Sequence, residues 1–402
     1  METLTGIPVL LTDGEARSTL AAARALVREG CEVHVTGSAR HTLAGVSRGV
    51  HPWVIPHDPL RDRQGYGKAV LDLVERTGAQ VLIPMTDASV EACLDQRDAL
   101  PIGCRFPFPS TDRWRAAADK SRLLPLATVT GFAVPRSLTL ERSGERPVAD
   151  GLTFPAVVKP HRSVVGANGK GALKLAVSLV PDLSHCAKVL EELPEEAYPV
   201  LLQERIIGPG EGIFLLRWKG RIVAHFAHRR LREHPPAGGV SVYREAILPD
   251  PDLLAAATRL LAALEWEGVA MVEGKRDLRT GAWAVMEING RFWGSLQLAV
   301  DAGVNFPALL VAAALGLPLP PLPPEYRTGI RSRWWWGDLD HLALRLLRSR
   351  VRLALDDSAP SRWVVLRDFF HWSGGRDHAE VERLRDPAPF IWETLRRLTS
   401  LR

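Results

Sequence analysis

Cysteine is scarce in this chain of 402 residues: there are four, at positions 31, 93, 104 and 186, with no C-x-x-C pair or close metal-ligand spacing. That excludes a disulfide framework and a structural zinc site, and predicts a reduced, cytoplasmic protein. No apolar run approaches the length of about 18 residues that a membrane span needs. The first residues, METLTGIPVLL, lack the basic flank and cleavage pattern of a secretory signal, so no membrane span and no export are expected. Neither charge sign dominates, because 51 Lys+Arg against 46 Asp+Glu leave only +5. No nucleic-acid partner is expected from that balance. Lysine is the rarer base, at eight of the 51 basic residues, which singles out Lys120 and Lys159. Also missing are a G-x-G-x-x-G after the first apolar run, a Walker A loop and a G-x-S-x-G elbow. What remains is 46% apolar and 24% charged residues in a chain long enough for two or three domains. Disorder and fibrous repeats are excluded on that composition.

The first hundred residues alternate β-branched or aliphatic runs with amphipathic stretches. Strands are expected at Pro8–Leu11, Cys31–Val35 and Val81–Pro84, and helices at Ser18–Glu29 and Lys68–Arg76. This order predicts an open parallel α/β sheet. Beyond Phe106-Pro107-Phe108-Pro109 the composition shifts. One helix is expected over Asp112–Thr130 and another over Pro251–Leu264. Strands are expected at Phe154–Lys159, Ala172–Val177, Val200–Glu204, Gly212–Trp218, Arg221–Ala227, Val269–Glu273 and Trp283–Ile288. That mixture predicts α+β packing around a cleft. The proline-rich run Leu317–Pro324 predicts a boundary, since consecutive prolines block helix and sheet.

The segment Met286-Glu287-Ile288-Asn289-Gly290-Arg291 carries the densest chemistry. Side chains two apart on a strand share a face, so Glu287, Asn289 and Arg291 project together while Met286 and Ile288 pack inward. Glu273 ends another apolar strand, and antiparallel pairing brings its carboxylate alongside. Two carboxylates and an amide oxygen suit Mg²⁺, a hard cation that shares oxygen ligands with phosphates. A half-buried strand with a wet polar face explains the same string. Lys159 ends a strand, where its charge reaches a cleft, and the loop Gly166-Ala167-Asn168-Gly169-Lys170-Gly171 follows. Exposed backbone N–H groups of such a loop bind phosphate oxygens, or the loop is a plain hairpin turn. In Gln203–Gly212, Glu204 to Ile206 supply an adenine hinge and Glu211 an acceptor for a ribose diol; a surface turn with scattered acids accounts for them equally well.

These pieces occur in one succession: Asp119-Lys120, VVKP at Val157–Pro160, the glycine loop, QERI-x-G-x-G-E-G at Gln203–Gly212, VEGK at Val272–Lys275 and MEINGRFWGS at Met286–Ser295. The order resembles the ATP-grasp superfamily, most of all the carbamoyl-phosphate-synthetase-like branch with its carboxylate-amine ligases, over roughly residues 5 to 315. The resemblance implies α/β and α+β architecture: an ATP-grasp fold with an N-terminal open parallel α/β (pre-ATP-grasp) domain and a C-terminal helical extension. The implied division is 1–110 for the first domain, 111–195 for the lid with its leading helix, 196–320 for the large subdomain and 321–402 for the linker and extension. It implies ATP and Mg²⁺ as cofactors. Lys120 and Lys159 would meet the ATP phosphates under the loop containing Gly166, Gly169 and Gly171. Glu204 and Ile206 would meet adenine, and Glu211 ribose. Glu273, Glu287 and Asn289 would be metal ligands, with Arg291 on the acyl phosphate. The implied activity is ADP-forming ligation of a small-molecule carboxylate to an amine. A bicarbonate-using carboxylase or phosphoryl-transfer enzyme on the same fold, and a nucleotide-binding module without turnover, are the alternatives.

In similar ligases the basic run His225–Ser241 lies near the acceptor end of the cleft, which makes Arg230, Gly239 and Ser241 candidates for an anionic substrate; a solvated basic face is the other reading. Asp87, with Asp13 and Thr86, stands at a strand end of the first domain, where helix capping explains it at least as well. The tail from Glu325 holds 15 Arg against 11 acidic residues and six of the 12 Trp. Leu339–Leu355 reads as a basic amphipathic helix with Arg345, Arg348 and Arg352 on its polar side. Packing of its apolar face on the body is expected, and the tryptophans suit a homodimer interface or a cover over the cleft.

Overall fold

The computed structural model describes residues 4–145, 151–162, 164–166, 172–371 and 374–400. The N-terminal part of the chain forms a four-stranded sheet in the order Val50–Val54, Glu32–Gly37, Pro8–Leu11, Val81–Ile83. Its pairing is parallel throughout, as the alternation predicts. Helices Arg17–Arg28, Arg63–Thr77 and Asp87–Leu94 complete it. The strand Val50–Val54 escapes a sequence reading, because His51 and Pro52 interrupt its apolar pattern.

The helix expected over Asp112–Thr130 is two, Thr111–Ala118 and Lys120–Val129. Asp119 between them is extended, and its carboxylate accepts from the Ser121 N–H at 2.9 Å. A short acidic side chain thus offers the backbone a cap in place of helix continuation. Lys120 is thereby the first residue of a new helix, its own N–H bonded to the His161 carbonyl at 2.9 Å.

An antiparallel sheet follows, ordered Ser137–Leu140, Val200–Glu204, Ala156–Pro160, Ser178–Val180, with helix Leu183–Glu192 on one side. The strand expected at Ala172–Val177 is shorter, Ala172–Lys174, and pairs with Val164–Gly166 as a separate hairpin. The largest sheet has seven strands: Trp283–Asn289, Gly268–Arg276, Gly210–Trp218, Arg221–His234, Val240–Ile247, Arg331–Arg333 and Asp377–Ala379. Helices Pro251–Ala263, Leu296–Ala302 and Phe306–Leu315 accompany it. The helix Arg17–Arg28 packs on the last two. Leu310 is fully buried there, and truncating such a leucine to alanine costs about 2–5 kcal/mol. No single helix among the described residues is long and apolar enough to cross a membrane. The apolar pair Leu296–Ala302 and Phe306–Leu315 is bent by 91° and lies in the core.

After the irregular stretch around Leu317–Pro324, the chain returns to the large sheet. Arg331–Arg333 pairs antiparallel with Val240–Ile247, and Asp377–Ala379 pairs parallel with Arg331–Arg333. The expected helix Leu339–Leu355 is instead Trp335–Leu347, followed by turns. Arg345, expected on its wet side, is buried. The four cysteines are buried and free.

Candidate active site

Strand register sets Ala246, His228, Gly212, Glu273 and Glu287 in one row across the large sheet. Directly opposed residues share a face, so the two acids stand side by side, as the strand spacing predicts. Past Glu287, Asn289 donates from Nδ2 to the Glu287 carboxylate at 3.1 Å. Arg291 Nη2 in turn donates to Asn289 Oδ1 at 2.9 Å and to Asp87 Oδ2 at 3.1 Å. Asp87 opens helix Asp87–Leu94, behind its cap Thr86. The turn that swings Arg291 into place depends on Gly290, where a Cβ would come within 2.4 Å of the Trp266 ring.

Met286 does not pack inward. A β-bulge shifts the register between Glu273 and Gly274, which turns Met286 toward the cleft, its sulfur 3.6 Å from Lys159 Nζ. Lys159 itself comes from the four-stranded antiparallel sheet and is held by Gln203 Oε1 at 2.7 Å; Gln203 Nε2 donates to Ser137 Oγ at 2.9 Å. Burial brings the Lys159 ammonium down to about 8, with Lys120 and Lys275 lowering it further and Glu287 opposing them. Lys120 Nζ lies 3.3 Å from Glu287. Burial alone would raise the Glu287 pKa, but Lys120, Asn289 and Lys159 outweigh it and hold the carboxyl low. Glu273 is raised by burial, and Glu287 and Glu233 add to that against the pull of Arg230. Arg230 contacts Glu273 at 2.7 Å, Glu233 at 2.9 Å and the Gly239 carbonyl at 3.1 Å.

One cavity of about 710 Å³ gathers Lys120, Lys159, Glu204, Ile206, Arg230, Gly239, Ser241, Glu273, Glu287, Asn289 and Arg291. Asp87 touches it only through Arg291. Glu204 also pairs with Arg279 at 2.7 Å. Glu211 is not brought there: its register partner is Gly274, so it faces away from Gly212 and Glu273, and it pairs with Arg276 at 3.3 Å. Gly166 ends the short hairpin strand and does not line the cavity, while Gly169 and Gly171 fall outside the described residues.

Sequence reading missed several lining residues. Lys275 is one, two residues past Glu273 on the same face. His228 is another, in the acid row, with both ring nitrogens buried and without a partner among the described residues. Burial, then Arg230 and Arg244, push its pKa well below the usual histidine value, so its ring is neutral. Arg17 reaches the cavity, paired with Glu380 at 2.6 Å and lying 4.0 Å over the Trp334 ring. Arg352, Leu353 and Ala354 line it from the tail. The Ala354 carbonyl accepts from Arg205 at 2.7 Å, and Ala354 has a φ of 49°, which non-glycine residues rarely adopt. No local pattern announces such contacts between residues far apart in sequence.

Residues 196–336 match the family described as ATP-grasp in the biosynthetic pathway with Ter operon. No curated protein sequence matches the chain. Among solved structures, an L-amino acid ligase from Bacillus licheniformis is similar at 15% identity and a TM-score of 0.59, over 81% of this chain and 79% of that one. An N5-carboxyaminoimidazole ribonucleotide synthetase from Thermus thermophilus is similar at 18% identity and a TM-score of 0.57, over 79% and 80%. The biotin carboxylase domain of the Hydrogenobacter thermophilus 2-oxoglutarate carboxylase, solved with MgADP, ADP and bicarbonate, is similar at 14% identity and 0.61, over 81% and 73%. The chain has the ATP-grasp fold, as the resemblance in its motifs implies.

Proposed function

We propose that the protein is an ADP-forming, Mg²⁺-dependent ligase that activates a carboxylate as an acyl phosphate and joins it to an amine. One observation carries the reading: two opposed carboxylates, Glu273 and Glu287, face Lys120, Lys159 and Arg291 across one cavity. Among the described residues no cluster of three or more His, Cys, Asp and Glu forms a closed metal cage. The donors available are two carboxylates and the Asn289 amide, which fits a hard cation that takes its remaining oxygens from a nucleotide. Glu273, Glu287 and Asn289 would hold Mg²⁺, which neutralises charge on the phosphates.

In this reading Lys120 and Lys159 hold the phosphates, and Glu204 and Ile206 border the base. The substrate carboxylate oxygen attacks the γ-phosphorus as the bond to the bridging oxygen breaks and ADP departs. Arg291, oriented by Asp87 and Asn289, holds the charge on the transferring group, so catalysis is positioning and electrostatics. The amine nitrogen then attacks the acyl carbon, phosphate leaves, and the amine proton passes to solvent. The division at 110, 195 and 320 belongs to the same reading, with ATP between the second and third parts. Neutral His228 and Ser241, whose polar atoms are buried and without a partner among the described residues, lie toward the end proposed for the acceptor.

The test combines ATP, Mg²⁺, a panel of carboxylic acids and hydroxylamine as surrogate amine. ADP with a hydroxamate is the expected outcome. AMP would overturn the mechanism, and ADP formed only with bicarbonate would move the reading to a carboxylase.

A further inference from the structure

A second cavity of about 530 Å³ lies between the large sheet and the C-terminal segment. Its volume falls within the range of about 300–1,000 Å³ found for small-molecule sites. Helix Trp335–Leu347 gives it His341 and Arg345, the turn that follows gives Leu355 and Pro360, and helix Arg362–Phe370 gives Val365. The other wall is common to the cleft described above: Arg205, Ile206, Arg230, Glu233, Ala237 and Lys275 line both.

Arg345 is the feature that points to a ligand. It is 5% exposed, its only side-chain hydrogen bond among the described residues is from Nη2 to the Pro360 carbonyl, and its Nε is buried with no partner. Arg350 and Arg362 add positive charge near it, opposed by Asp356, which lines the chamber without bonding to Arg345 among the described residues. A guanidinium taken out of water without a carboxylate is costly, and a buried N–H left unmatched adds to that cost. The other cations divide into two groups. Arg230, Arg232 and Arg331 are matched by Glu233, Asp338 and Glu245. Arg205 donates to the Ala354 carbonyl with the Asp356 charge near it, and Lys275 makes no hydrogen bond or ion pair among the described residues. The unmatched cations therefore stand on both sides of one chamber, Arg345 in the roof and Lys275 in the shared wall.

We propose that this chamber is a second ligand site, built by the C-terminal segment beside the cleft, for a small anionic molecule bearing a carboxylate or phosphate group. Arginine suits both groups, since its planar fork matches either pair of oxygens. The inference stands independently of whether the cleft activates a carboxylate.

Titration calorimetry on the full chain, with inorganic phosphate and separately with succinate, tests it in the wild type, Arg345→Met, Leu355→Trp and Lys159→Ala. At least one anion binds saturably to the wild type, weakened about tenfold or more by Arg345→Met through loss of charged hydrogen bonds. Leu355→Trp weakens it comparably by filling the chamber without altering charge, and carries the comparison should Arg345→Met not fold. Lys159→Ala leaves this binding unchanged. The anion that binds identifies the ligand class. Absence of saturable binding by both anions overturns the proposal, as does binding lost in Lys159→Ala and kept in Arg345→Met and Leu355→Trp, which would locate it in the cleft.

Discussion

Lys120 Nζ stands 3.3 Å from the Glu287 carboxylate, so the first residue of a helix and an acid on the edge strand of the large sheet neutralise each other inside the cleft. In the proposed reaction Glu287 faces the cation and Lys120 the phosphates. Glu287→Gln keeps the shape and removes the charge, and turnover is expected to fall about 10²-fold or more. The fold survives, with a lower melting temperature because Lys120 loses its counter-charge. Coupled measurement of ADP release and circular dichroism checks both, and unimpaired turnover would remove Glu287 from the metal site.

Lys159 titrates near 8 in the folded chain against an ordinary 10.5, mainly through burial. Between those values the unfolded chain binds more protons than the folded one, so this residue's cost to stability is relieved as pH rises through that window. Nucleotide binding runs the other way, because a neutral amine attracts no phosphate. ATP affinity is expected to decline above about pH 8. Binding at that pH takes up protons, seen as a calorimetric enthalpy that depends on the buffer. Lys159→Ala abolishes the dependence; equal enthalpies across buffers in the wild type would contradict the assignment.

Arg291 is steered by Asp87, at the start of a helix beside the parallel sheet, at 3.1 Å. Asp87→Asn leaves the ATP sites intact and lets the guanidinium drift. The expectation is a kcat lowered by up to about 10²-fold with little change in the KM for ATP. A KM effect with unchanged kcat would make Asp87 a structural residue only.

Glu91, 4% exposed, receives Arg63 at 3.0 Å, Arg115 at 3.5 Å and Arg162. Glu91→Gln leaves Arg162 without its carboxylate while Arg63 and Arg115 keep Asp95, and about 1–3 kcal/mol of stability is expected to go. Denaturant unfolding measures the loss. Hydrogen exchange is expected to rise in the Val164–Gly166 hairpin strand, close after Arg162; unchanged exchange there would show that this pair does not hold the hairpin.

The strands that carry Glu273 and Glu287 were legible because their apolar alternation is strong and their acids fall on one face. The Asp119-Lys120 break was hidden, since a capping aspartate inside an Ala/Leu-rich stretch looks like helix until its carboxylate is seen on the Ser121 N–H. Glu211 was misdirected because its role came from motif spacing, whereas strand parity at Gly210–Trp218 decides its face. Arg331–Arg333 offers no apolar pattern at all. Its burial rests on ion pairs, Arg333 with Asp338 for one, that only the folded chain assembles. Lys275 lay within a motif that was read, but needed the register opposite Gly210 to place it in the cleft.

Glu380 pairs with Arg17 of the first helix and with Arg244 of the large sheet, while Asp386 takes Arg24 at 2.8 Å and Ser47 Oγ at 2.6 Å. The late part of the chain therefore clamps the parallel sheet to the seven-stranded one, across the same boundary where helix Arg17–Arg28 is packed. Those two bodies form a chassis. The small antiparallel sheet bearing Lys159 joins it through two short stretches of chain, near 131–136 and 205–209, and the second of these is moored to Ala354. The tail thus serves the cleft twice, bracing its fixed wall and mooring the stretch that leads out of the other one.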